Sequence, residues 1–139
     1  MQITTEKPRT LADEAEILRL FDDWNAALKS LDPAQVAALY APDAILLPTV
    51  SNKVRHNTAE IEDYFVRFLA KAPEGRIHES NIRLMGDVAV HSGIYVFRMT
   101  REAGTGDVPA RFSFVYERID GVWKIVEHHS SVMPERGAW

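Results

Sequence analysis

Residues 110–134 read ARFSFVYERIDGVWKIVEHHSSVMP, and their reading decides the fold. Two runs rich in Val, Ile, Phe and Tyr flank Asp120-Gly121. A two-residue type I′ turn needs positive φ at both central residues, and Asp-Gly suits it, so the stretch is expected to be a β-hairpin. A tight turn there sets Ile119 opposite Val122 and Glu117 opposite Lys124. Side chains alternate between two faces along each strand. One face then holds Phe112, Phe114, Tyr116, Trp123 and Ile125, and is expected to be core; Glu127 and His129 follow these residues onto it. The other face holds Arg111, Ser113, Val115, Glu117, Lys124, Val126, His128 and Ser130.

Working outward, the 139-residue chain has the length of one domain and a formal net charge of −4. The charge and the absence of a basic cluster argue against a nucleic-acid surface. With no cysteine in the chain, disulfides, thiol nucleophiles and cysteine-ligated zinc are excluded. The polar opening MQITTEKPRT lacks the apolar run of a signal peptide, and no stretch reaches membrane-spanning length. A soluble cytoplasmic protein is the expectation, with residues 1–9 a disordered leader, 10–135 one domain and 136–139 a tail.

Thr10 and Asp13 are candidate caps for a helix reaching about Leu31, whose buried stripe would be Ile17, Phe21, Trp24, Leu28 and Leu31, widened by Leu18 and Leu20. Asp32-Pro33 predicts a cap and first turn for a short helix ending near Tyr40. Residues 44–48 predict a brief strand. Asn57 or Thr58 caps a third helix with Ile61, Tyr64, Phe65, Phe68 and Leu69 inward. Strands follow over 76–85 and 88–100, with Gly93 a candidate bulge or bend, and residues 102–107 connect to the hairpin. Helices followed by strands with tight turns predict an α+β fold, a cone-shaped curved antiparallel sheet wrapped around the long first helix, with two further helices. A cleft between that helix and the sheet is the expected pocket.

Residues 82–87 (IRLMGD), 97–100 (FRMT), Asp120-Gly121 with Trp123, and 128–134 (HHSSVMP) resemble the association (hub) domain of calcium/calmodulin-dependent protein kinase II. Residues 110–117 (ARFSFVYE) and 127–135 (EHHSSVMPE) are similar to the stand-alone bacterial SgcJ/EcaC group. Both groups belong to the nuclear transport factor 2-like, or SnoaL-like, superfamily. The resemblance implies a cystatin-like cone, a pocket between first helix and sheet, and assembly into homodimers or larger rings. The hub pocket holds small carboxylates with arginines. Arg98 stands where one of these would be, the other two positions match Phe114 and Ser130, and the pocket's His and Trp match near Ile61 and Leu69.

Glu127 and His129, two apart on a strand, point the same way roughly 7 Å apart and are candidate acid/base catalysts. A bulge near residues 127–130 would instead turn His128 and Ser130 inward, as the hub match to Ser130 requires. Arg98 is the candidate anion contact, with a salt bridge to Glu127 or Asp87 as its structural alternative. Trp24, Tyr40, Tyr64, Phe114 and Tyr116 line the expected pocket or simply fill core. Five histidines without paired ligand spacing give no metal site, no motif calls for a cofactor, and His56, His78 and His91 are expected on the surface or in loops. Arg111, Val115, Glu117, Lys124, Val126 and His128 carry both charges around an apolar middle, as a two-fold interface needs. The favoured reading is a homo-oligomeric domain binding a small, carboxylate-bearing molecule. The alternative is a SnoaL-like enzyme of isomerase, dehydratase or cyclase type working by proton transfer.

Overall fold

Helix α1 spans Glu14–Lys29 and is closed at its start by Asp13, whose side chain accepts from the Glu16 amide at 2.8 Å. The computed structural model describes residues 12–101 and 104–134; the expected leader, tail and Thr10 cap lie outside the described residues. Ile17, Phe21, Trp24 and Leu28 form the buried stripe of α1, but Leu31 is 57% exposed. The reason is local: Ser30 ends the helix by bonding back to the Ala27 carbonyl, and Leu31 turns left-handed with φ 60°. That reversal lets Asp32 cap the one-turn helix α2, Pro33–Ala37, through the Ala34 amide at 3.0 Å.

Strand β1 runs Tyr40–Leu47, earlier than residues 44–48, because the chain extends as soon as α2 stops. Pro42 lies in the irregular part of its pairing, where no ladder donor is needed. Helix α3, Thr58–Phe68, is capped by Asn57 on the Glu60 amide at 2.9 Å, while Glu60 reaches back to the His56 amide at 3.0 Å. A 3₁₀ turn, Leu69–Lys71, leads into β2 (Glu74–Met85), β3 (Val88–Arg101), β4 (Gly104–Ile119) and β5 (Val122–Val132). The sheet order is β1-β5-β4-β3-β2.

The fold is α+β as expected, and the described residues form three α-helices and a five-stranded curved sheet. One pairing differs from an all-antiparallel sheet: β1 lies parallel to β5. The excursion through α3 and three further strands carries the chain back to β1 in the same direction. Asn25 pins α1 to the start of β2 through both polar groups of Gly75, at 2.9 and 2.8 Å. Gly93 faces a bulge in the neighbouring strand, between Ile77 and Glu79; a Cβ at Gly93 would stand 1.9 Å from the Glu79 carbonyl oxygen. Glycine is required there by contact as well as by φ 154°.

The hairpin turn forms with φ 51° at Asp120 and 81° at Gly121, and Ile119 pairs Val122, Glu117 pairs Lys124 and Tyr116 pairs Ile125. Beyond that point the register shifts, so that Val115 faces Glu127 and Phe114 faces His128. Val126 is the extra residue of a bulge, and each later side chain of β5 changes face. His128 and Ser130 are therefore buried, at 2% and 4% exposure, and Glu127 and His129 point outward. Of the two placements expected, the structure takes the one with a bulge, which brings His128 and Ser130 inward and corrects the inward placement of Glu127 and His129 by strict alternation. The inner face of the sheet packs Ala89, Tyr95, Phe97, Met99, Phe112, Phe114, Tyr116 and Ile125 against the α1 stripe and against Ile61, Phe65 and Phe68 of α3. Each such large apolar side chain contributes about 1.5–3 kcal/mol by leaving water.

Candidate functional site

The bulge in β5 delivers an imidazole into the middle of this aromatic core. His128 stacks on Phe114 with ring centroids 3.9 Å apart and meets the edge of Trp24 at 5.5 Å. Both of its nitrogens are engaged: Nδ1 lies 2.8 Å from the Tyr40 hydroxyl and Nε2 lies 3.2 Å from that of Tyr95. The Trp24 indole N–H donates to the Tyr40 oxygen at 3.2 Å, which leaves the Tyr40 proton for Nδ1. Tyr95 donates to the Ser130 hydroxyl, so its oxygen accepts from His128 Nε2–H. The neighbours thus select the Nε2–H tautomer. Ser130 in turn bonds Thr49, which completes a chain Trp24–Tyr40–His128–Tyr95–Ser130–Thr49 drawn from α1, three strands and the segment after β1.

Burial first, and then the nearby His129, lower the His128 pKa to about 3, so the ring is neutral at physiological pH. Burial also raises the pKa values of Tyr40 and Tyr95 and pushes that of Tyr64 up to about 12. These phenols stay protonated and act as hydrogen-bond donors.

Around Ser130 and Thr49 the core leaves a cavity of about 10 Å³, the room of one water-sized group, walled by Trp24, Leu46, Tyr64, Phe68, Tyr95 and Phe97. Tyr64 and Phe68 are shared with a larger groove of about 360 Å³ along α3, which also carries Val50, Ser51, Arg55, Arg67 and Lys71. Arg55 is buried and fixed: Nη1 donates to Asp63 at 2.8 Å and to the Glu60 carbonyl at 2.9 Å, and its guanidinium lies 5.6 Å from the Tyr64 ring centre. Among the described residues, no carboxylate approaches Arg67 or Lys71 within salt-bridge distance. The groove is cationic at its rim and aromatic at its floor.

Of the expected pocket residues, the structure gathers Trp24, Tyr40 and Phe114 around His128, with Tyr64 at the mouth. Tyr116 is buried further along the sheet, away from this cavity. Arg98 is on the outer face and exposed, opposite Glu74 and Asp107, so it is not inside the cleft. Odd-numbered β3 residues face inward, a parity that its apolar residues on both faces concealed. Asp87, its suggested partner, binds Arg118 at 3.0 Å. His91 is a further correction: it is fully buried, bonding Ser80 at 2.8 Å and meeting the edge of Phe112.

Tyr95, Thr49, Arg55 and Arg67 were not singled out by the sequence, which gives the first no signal beyond a long apolar strand. The residues expected at an interface divide. Arg111, Val115 and Glu117 lie on the outer face with Glu127 and His129, whereas Val126, expected there too, packs against the core and Lys124 reaches round to the Ala38 carbonyl at 2.8 Å. Among the described residues no three His, Asp or Glu side chains converge as a metal set would require, and no helix is long and apolar enough to cross a membrane.

A long helix across a curved five-stranded sheet is the architecture of the cystatin-like, nuclear transport factor 2-like class. A protein of that description from Novosphingobium aromaticivorans superposes with TM-score 0.74 at 17% identity, over 91% of this chain and 85% of its own. A candidate dehydratase of the class from Streptomyces avermitilis gives 0.75 at 13% identity, over 86% and 95%; both likenesses carry the fold alone. The chain belongs to the calcium/calmodulin dependent protein kinase II association domain family, whose model matches residues 13–134. A candidate domain of that family from Xanthomonas campestris is 48% identical, with TM-score 0.85 over 96% of this chain and 99% of that one. No curated protein matches the chain.

Proposed function

We propose that the protein is a self-associating domain that binds a small carboxylate-bearing molecule at the mouth formed by α3. The observation that carries this reading is the sharing of Tyr64 and Phe68 between two spaces, the small cavity beside Ser130 and Thr49 and the groove bearing Arg55, Arg67 and Lys71. A flat apolar acid can rest on the two rings and place its carboxylate among the cations. Self-association would use the outer face, where Val90, Ile94, Val96 and Val115 are half-buried beside Arg111 and Glu117. Membership of an association-domain family supports that part.

The test is a thermal-shift and calorimetric screen of small aromatic acids, benzoate first, with light scattering on the same samples. Binding should raise the melting temperature by mass action. It should weaken in Arg67→Gln/Lys71→Gln and persist in Arg98→Met. No shift with any acid, or equal shifts in the Arg67/Lys71 variant, would remove the ligand class; a clean monomer at micromolar concentration would remove the assembly.

A second reading, proton-transfer catalysis of the SnoaL-like type, rests on the chain from His128 through Tyr95 and Ser130 to Thr49. In that reading Tyr95 and Ser130 take the role expected of Glu127 and His129, and the Tyr95→Phe variant should lose turnover while keeping ligand affinity.

A further inference from the structure

The outer face of the sheet carries a row of side chains whose order is complementary to itself. Strand pairing sets Glu127 of β5 beside Val115 of β4, Val115 beside Val90 of β3, and Val90 beside Arg83 of β2. All four lie on the outer face, the two valines half-buried and the two charged residues exposed. Read across the strands, the row is acid, valine, valine, base. Its ends are three strand spacings apart, about 14 Å, so Glu127 does not reach Arg83 of its own chain. Neither residue has an ion-pair partner among the described residues.

The next row along the strands has the same property without the charges. His129 lies beside Ser113, Ser113 beside Ser92, and Ser92 beside Asn81. Reversed on itself, this row lays serine on serine and imidazole on amide. Asn81 spends its amide nitrogen on Glu79 at 3.0 Å and on the Ser92 carbonyl at 3.3 Å, which leaves its amide oxygen to accept from an imidazole N–H.

We propose that two copies of the chain pack these faces together about a two-fold axis running parallel to the strands, between β3 and β4. The proposal rests on the reading that the outer face is where the chain self-associates, and it adds the register. Each row then lies reversed on its own copy. Glu127 of each copy meets Arg83 of the other, Val115 meets Val90, Ser113 meets Ser92, and His129 meets Asn81. A closed dimer needs one patch that matches itself, with an apolar middle and opposite charges toward its rim, and these rows supply it. An axis turned to run along the rows would instead set Val115 against Arg111, a poorer match.

The experiment is sedimentation equilibrium of the whole chain at neutral pH and low ionic strength, where surface charges are least screened. Wild type should be a dimer at micromolar concentration. Glu127→Lys and Arg83→Glu, both at exposed positions, should keep the native circular dichroism spectrum. Each brings like charges together at two symmetric contacts, so each should weaken self-association by about tenfold or more. An equimolar mixture of the two variants should recover wild-type affinity within about threefold, because a mixed dimer has opposite charges at both contacts. Single variants that associate as tightly as wild type would overturn the proposal and leave self-association through another face standing. Weakened variants whose mixture stays dissociated would overturn the pairing while keeping the face. Recovery with Arg111→Glu in place of Arg83→Glu would turn the axis along the rows and overturn it as well. A wild-type monomer would remove both the register and the assembly it rests on.

Discussion

Acidification should unfold this protein through its two buried imidazoles before most carboxylates titrate. His128 is held neutral with its pKa lowered to about 3, and His91 with its pKa lowered to about 4, both by burial. An unfolded histidine titrates near 6.5, so below that pH the unfolded chain binds protons that the folded one refuses. The stabilising contribution is complete above pH ~6.5 and is lost as the pH falls toward the folded values. For His128 the loss between about pH 7.5 and about pH 4.5 is about 2.5 kcal/mol, near the limiting slope of ~1.4 kcal/mol per pH unit. His91 adds a loss of the same order over the same range. The assay is urea denaturation at half-unit pH steps, on wild type and on His128→Gln. The glutamine still offers an acceptor and donors to Tyr40 and Tyr95 but cannot take up a proton in either state. The variant will be less stable throughout, and its pH dependence should be shallower than that of wild type by the His128 share. Parallel curves would refute the claim that a neutral, doubly bonded His128 is built into the core. So would an NMR titration showing His128 protonated in the folded protein near pH 6.

Three further outcomes follow from particular contacts. Gly93→Ala should cost about 3 kcal/mol or more, because its Cβ would stand 1.9 Å from the Glu79 carbonyl, and near-native stability by thermal denaturation would contradict the close approach of β2 to β3. Tyr116→Phe should leave stability unchanged or raise it by about 1 kcal/mol, since the deleted hydroxyl has no protein partner among the described residues; a loss above that size would show that the hydroxyl is satisfied. Trp123→Ala should cost about 2 kcal/mol, below the range for fully buried aromatics, because the ring is half-buried between the Arg118 guanidinium and the bond to Glu16; a loss of 4 kcal/mol or more would place it in the core.

What the sequence determined by itself was local. Asp120-Gly121 can make its turn with neighbours two residues away, Asp13, Asp32 and Asn57 can cap the helices that start beside them, and the spacing of Ile17, Phe21, Trp24 and Leu28 marks a buried face without knowing what covers it. These signals, with the motifs of residues 82–87 and 128–134, were enough for the α+β class and the family. The site was decided elsewhere. One extra residue, Val126, exchanges the faces of all that follows, so that His128 and Ser130 enter the core and Glu127 and His129 leave it. Alternation along a strand has period two and no absolute phase, and a bulge is fixed only by what the strand packs against. The same holds for Arg98, whose strand is apolar on both faces, and for β1, whose parallel partner lies some eighty residues further along the chain. Tyr95 and Thr49 meet across such distances, and only the closed sheet brings their hydroxyls to Ser130.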